Sequence, residues 1–161
     1  KIVSERKTNV MRLLDRAKIP YQTHTYPHGD QPVDGVRVAE LLGEEPACVF
    51  KTLVTQGADQ QYYVFVIPVE RELNLKQAAK AAAVKSISMI PMGDLLKVTG
   101  YIRGGCSPIG MKKTYPTFFD ESAKTLSHII VSAGKIGQQI DLKPDDLLKM
   151  TGGRYAAVTG V

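Results

Sequence analysis

The 161-residue chain contains no tryptophan, only 7% aromatic residues and no apolar run longer than a strand. Its longest such run, 62–67, is far short of the roughly 20 residues a membrane-crossing helix needs. The two cysteines, Cys48 and Cys106, lie far apart, which excludes a disulfide scaffold or a zinc knuckle and fits a reducing cytoplasm. Lys1 to Lys7 lack the apolar centre of a signal peptide, and no initiator Met precedes them, which points to a start upstream of Lys1. No period of 20–50 residues recurs, so a solenoid or propeller is excluded. The glycine-rich segments fit neither a Walker motif nor a dinucleotide fingerprint, and no Ser–His–Asp signature is present. What remains is ordinary: 43% apolar and 23% charged residues describe one soluble globular domain. The net charge of +5 permits a polyanionic partner without requiring one.

Hydrophobic spacing and turn residues place the elements. Val10, Leu13, Leu14 and Ala17 predict an amphipathic first helix, with Thr8 or Asn9 as cap and Pro20 closing it. A short helix over 35–42 follows, with Asp34 before it and Gly43 after it. Strands are expected over 48–55 and 61–67, joined as a hairpin, with Pro68 ending the second. Asn74 opens an alanine-rich helix that places Lys76 and Lys80 on one face. A short strand over 86–90 and a helical patch over 94–98 come next. Further strands are expected near 117–119, 128–132, 138–142 and 155–158, with a helix over 144–150 before the last. Six or seven strands interspersed with helices indicate an α+β domain built on one mixed, curled sheet.

The segment Gly100 to Lys113, GYIRGGCSPIGMKK, is the most unusual. Gly104-Gly105 either lets main-chain N–H groups approach a ligand oxygen or makes a plain tight turn. Arg103, Lys112 and Lys113 bracket these glycines, a density of charge that favours a functional loop. Ser132 ends an apolar strand, where a hydroxyl meets substrate or caps the turn that follows. Lys51 interrupts a strand and is either an edge charge that discourages aggregation or an ammonium turned into a pocket. His24 and His28 have helical metal spacing, but Thr25 and Pro27 favour an extended segment, against a metal site. His128 reads as structural. Cys106 beside Arg103 is either a nucleophile or an inert buried thiol.

Seven segments, read in order, resemble the YbaK family of aminoacyl-tRNA deacylases, relatives of the editing domain of bacterial prolyl-tRNA synthetases. They are HTYPH at 24–28, FKTL at 50–53, LNLKQAAK at 73–80, TGY at 99–101, GG-x-SP-x-G at 104–110, KK at 112–113 and SAGK at 132–135. The pattern is closer to the Cys-tRNA(Pro)-specific members than to the alanine-specific ones. The resemblance implies a deacylase domain over 8–161, after an extension over 1–7, with a barrel-like curled sheet flanked by helices. It places the family's key lysine on Lys51, which argues against the edge-charge reading. Lys51 and Gly104 are thereby the expected catalytic residues, with Gly105 as a second main-chain donor. Tyr26, Thr52, Gly105 and Ser132 are expected to bind the aminoacyl group and terminal adenosine. Lys76, Lys80, Lys112, Lys113 and Lys135 are candidate phosphate contacts, each also readable as a solvated charge. Cys106, Ala133 and Ile136 depart from the family pattern.

The implied reaction removes cysteine from mischarged Cys-tRNA(Pro) by attack of the substrate's own thiol on its ester, without cofactor or metal. Prolyl-tRNA synthetase is the implied partner of a monomeric cytoplasmic protein with no membrane attachment. Two alternatives stay open: a deacylase for another small amino acid such as alanine, and a non-catalytic tRNA- or synthetase-binding module.

Overall fold

The computed structural model describes residues 7–160, so the extension expected over 1–7 lies outside the described residues except for Lys7. Helix α1 (Asn9–Arg16) begins where the Thr8 hydroxyl accepts the Met11 N–H at 3.3 Å. Strand β1 (Gln22–Thr25) and helix α2 (Gly35–Leu42) follow, and Gly43 at φ 70° ends α2 in the left-handed conformation that glycine adopts without strain. Strand β2 (Phe50–Gly57) starts two residues later than the sequence suggests, because Pro46–Cys48 forms a 3-10 turn. Strand β3 (Tyr62–Pro68) returns antiparallel to it. Helix α3 (Leu75–Ala82) is capped by Asn74, whose side-chain oxygen accepts the Gln77 N–H at 3.0 Å. Then come β4 (Ile87–Met89), α4 (Leu95–Thr99), β5 (Thr117–Asp120), β6 (Ile129–Lys135), β7 (Gln138–Leu142), α5 (Pro144–Thr151) and β8 (Arg154–Ala156).

This is the expected α+β domain, but its strands divide between two sheets rather than forming one barrel-like sheet. One sheet has the order β1-β7-β6 and the other β4-β2-β3-β5-β8. Among the described residues their main chains meet at one isolated parallel bridge, between Val49 and Ile130, and no ladder forms there. The apolar run in β3 has no polar alternation because both its faces are covered. Val64 and Val66 join Leu14, Phe119, Ile129 and Ile140 in the main core, while Phe65 and Ile67 pack under Ala78 and Ala79 of α3. A third cluster sets Ala39 of α2 over Val49, Val69 and Ile130. Among the described residues no helix is long and apolar enough to cross a membrane.

Candidate active site

A cavity of about 540 Å³ opens where the two sheets part. Its wall includes six consecutive residues, Val49 to Val54. Alternation would turn only every second residue of a strand toward one face, so the cavity lies along the edge of β2, not over a face. Val69 N–H donates to Val49 O and Gly57 N–H to Gln61 O, so the odd-numbered residues of β2 are those bonded to β3. The main-chain groups of Thr52 therefore point the other way. Strand β4 reaches only Thr55, Gln56 and Gly57, which leaves Thr52 without a ladder partner on that side.

The structure brings Tyr26, Lys51, Thr52, Gly104 and Ser132 together around this cavity. Tyr26 is buried just after β1, with its N–H donated to Gly137 O at 3.0 Å. Lys51 is half-buried and forms no ion pair among the described residues. The Thr52 hydroxyl is buried with no hydrogen-bond partner. Ser132 Oγ accepts the Gly134 N–H at 3.1 Å and keeps its own proton free to donate. Both alternatives at Ser132 thus hold at once: it caps the turn and it faces the cavity.

Gly105 does not belong to the group. It is buried, its N–H is donated to Ile102 O at 3.0 Å, and it lies against the main chain of Lys135 and Ile136. A tight turn thus consumes the second donor expected from the glycine pair. The Gly104 N–H meets no acceptor among the described residues. Lys76, Lys80, Lys112, Lys113 and Lys135 are all exposed, and none lines the cavity. The cation that joins Lys51 there is Arg103.

Cys106 also lines the cavity, and burial pushes its thiol up to about 12. It is therefore protonated at neutral pH, as a buried inert thiol is. Ala133 is fully buried and is not among the residues with positive φ, so alanine keeps the turn that a glycine would make there. Ile136 packs against Gly104. His24 and His28 do not face a common ligand: His24 Nε2 lies 2.9 Å from Asp141, which also holds His128 Nδ1 at 2.6 Å. Two further polar residues of the wall, Asp34 and Gln139, escaped the sequence reading. Nothing local marks them, since Asp34 reads as a helix cap and Gln139 as an ordinary strand residue.

An unpaired cation, free hydroxyls and an unused main-chain donor around a cavity at a sheet edge define a site for a polar, electron-rich group such as an ester carbonyl. The chain belongs to the aminoacyl-tRNA editing domain family, whose model matches residues 32–150. It is 47% identical over 156 residues to an Enterococcus faecalis protein named "Putative Cys-tRNA(Pro)/Cys-tRNA(Cys) deacylase EbsC", covering 97% of this chain and 95% of that one. A proline–tRNA ligase of Trichlorobacter lovleyi is 25% identical over 101 residues, which are 63% of this chain and 18% of the ligase. The fold matches a solved structure described as a "putative trans-editing enzyme for prolyl tRNA synthetase" with a TM-score of 0.81 and 19% identity. That match covers 97% of this chain and all of the other.

Proposed function

We propose that this protein is an aminoacyl-tRNA deacylase that removes cysteine mischarged onto tRNA(Pro), and that its domain spans residues 8–161. The observation that carries the reading is the unpaired Lys51 ammonium in a cavity whose one thiol stays protonated. A site with charge stabilisation but no ionised cysteine suits a reaction in which the substrate supplies the nucleophile. The substrate thiol loses its proton, and its sulfur attacks the ester carbonyl. The C–O bond to the terminal ribose breaks, the ribose oxygen takes up a proton, and a cysteine thiolactone departs from free tRNA.

Lys51 lowers the cost of the thiolate and of the developing oxyanion, and the Gly104 N–H donates to that oxyanion. The hydroxyls of Tyr26, Thr52 and Ser132 orient the aminoacyl group and the terminal adenosine, and Arg103 meets the nearest phosphate. The five exposed lysines contact the tRNA body outside the cavity. The protein acts as a cytoplasmic monomer alongside prolyl-tRNA synthetase.

Single-turnover deacylation of Cys-, Ala- and Ser-tRNA(Pro) tests this with wild type, Lys51→Ala and Cys106→Ser. The expected result is fast loss of cysteine only, abolished without Lys51 and indifferent to Cys106. Comparable loss of alanine or serine would replace the substrate-thiol route with a broader hydrolysis. No cleavage, even with prolyl-tRNA synthetase present, would leave a binding module.

A further inference from the structure

The mechanism above leaves one buried polar group of the cavity unused. Gln139 on β7 stands directly opposite Ser132 on β6, is 5% exposed and lines the cavity. Its side-chain amide has no hydrogen-bond partner among the described residues, yet its atoms are not among the fully buried ones left unpaired. The amide is not sealed from solvent as the Thr52 hydroxyl is, so it opens into the cavity, where a ligand can complete its hydrogen bonds.

The chemistry of the surrounding wall says which ligand group does so. Lys51 and the Gly104 N–H only donate, while Tyr26, Thr52, Ser132 and Cys106 each carry a proton of their own. Gln139 Oε1 is thus the one side-chain oxygen of the buried wall without a proton. The other, on Asp34, belongs to an exposed residue before α2. An aminoacyl ester differs from a simple acyl ester in its α-amino group, which presents N–H donors and needs such an acceptor. Lys51 in the same cavity disfavours a second cation, so the amine is held neutral. A neutral amide accepts from it without weakening the field that Lys51 applies to the thiolate.

Resting on the deacylase reading, we infer that Gln139 is a specificity-determining residue whose amide oxygen accepts a hydrogen bond from the substrate α-amine. It makes the site selective for aminoacyl over simple acyl esters.

The test compares cysteinyl-tRNA(Pro) with 3-mercaptopropionyl-tRNA(Pro), which keeps the thiol and the ester but lacks the amine. Each single-turnover rate is divided by the uncatalysed rate of the same ester. Wild type should prefer the cysteinyl ester by roughly ten- to a hundredfold, the range expected for one buried hydrogen bond. Gln139→Met keeps the side-chain length and removes the amide. It should lose that factor on the cysteinyl ester alone, so that the preference falls toward one. Gln139→Glu keeps an acceptor and should retain the preference at a lower absolute rate, because its charge opposes Lys51. Equal losses on both esters, or an unchanged preference in Gln139→Met, would overturn the assignment. Should Gln139→Met not fold by thermal melting, a Gln139→Glu that loses the preference while staying folded would overturn it equally. If wild type cleaves neither ester, the deacylase reading itself fails, and the inference with it.

Discussion

Gly104 is wedged against Pro32 so closely that a Cβ placed on it would sit 2.8 Å from the Pro32 Cβ and 3.0 Å from its Cα. Its φ of +86° is also one that a side chain makes costly. Gly104→Ala should therefore move the loop away from the cavity. We expect a loss of about 1–3 kcal/mol of stability and of at least tenfold in deacylation, read by urea unfolding and single-turnover kinetics. Gly105→Ala would press on Lys135 and Ile136 instead. It should cost stability with a smaller change in rate per kcal/mol lost.

Removing Lys51 should separate activity from folding. The side chain is half-buried and has no ion-pair partner among the described residues, so Lys51→Ala leaves no opposite charge stranded. The expected outcome is a fall of about a hundred- to a thousandfold in rate, in line with loss of one preorganised electrostatic contact. The melting temperature should stay within a few degrees of wild type.

Cys106 sets a pH dependence whose sign follows from its burial. The thiol rises from 9.0 to about 12 in the folded protein. Above pH 9 the unfolded chain therefore releases a proton that the folded chain retains. Stability is unaffected below pH 9 and falls between pH 9 and 12 by about 1.4 kcal/mol per pH unit from this group. Tyr101, raised from 10.0 to about 12 by burial and by Cys106, adds to the fall above pH 10. Urea midpoints measured across pH 7–11 should show the decline in wild type and a shallower one in Cys106→Ala. At pH 8 the folded protein should resist iodoacetamide at this position.

Asp141 on β7 holds two histidines distant in sequence, His24 on β1 and His128 just before β6. Asp141→Ala removes both bonds at a carboxylate that is mostly buried. The expected cost is about 2–3 kcal/mol, measured by chemical unfolding at pH 7. Hydrogen exchange should rise first in β1, which pairs with β7 alone.

The local rules read from the sequence carried most of the fold. Asn74 and Thr8 cap the helices assigned to them, and Gly43 ends its helix with positive φ. Each of these signals acts within four residues, where sequence spacing and spatial distance coincide. The site was legible only in part. Residue patterning left both an edge charge and a pocket ammonium open at Lys51, and only the family resemblance favoured the pocket, because strand patterning does not reveal which side of β2 lacks a neighbour. Gly104 and Gly105 were indistinguishable as letters, yet one faces the cavity and the other closes a turn. Gln139 and Asp141 owe their surroundings to the pairing of β7 with β6 and β1, contacts set by register between strands. No spacing along the chain encodes that register.

The unladdered stretch of β2 at Thr52 has a consequence for how molecules of this protein meet one another. Unpaired peptide groups on a strand are a template on which a second chain can add itself, the first step toward aggregation. Here that template borders a cavity roofed by α2 and by the loop bearing Gly104, with β4 beyond one end and the Val49–Ile130 bridge at the other. Between the bridge at Val49 and the Ile90 N–H that donates to Val54 O, only Phe50 and Thr52 keep main-chain groups on the open side, too short a ladder to hold an added strand. The same shortness that leaves bare backbone beside the cavity gives a neighbouring strand little to pair with.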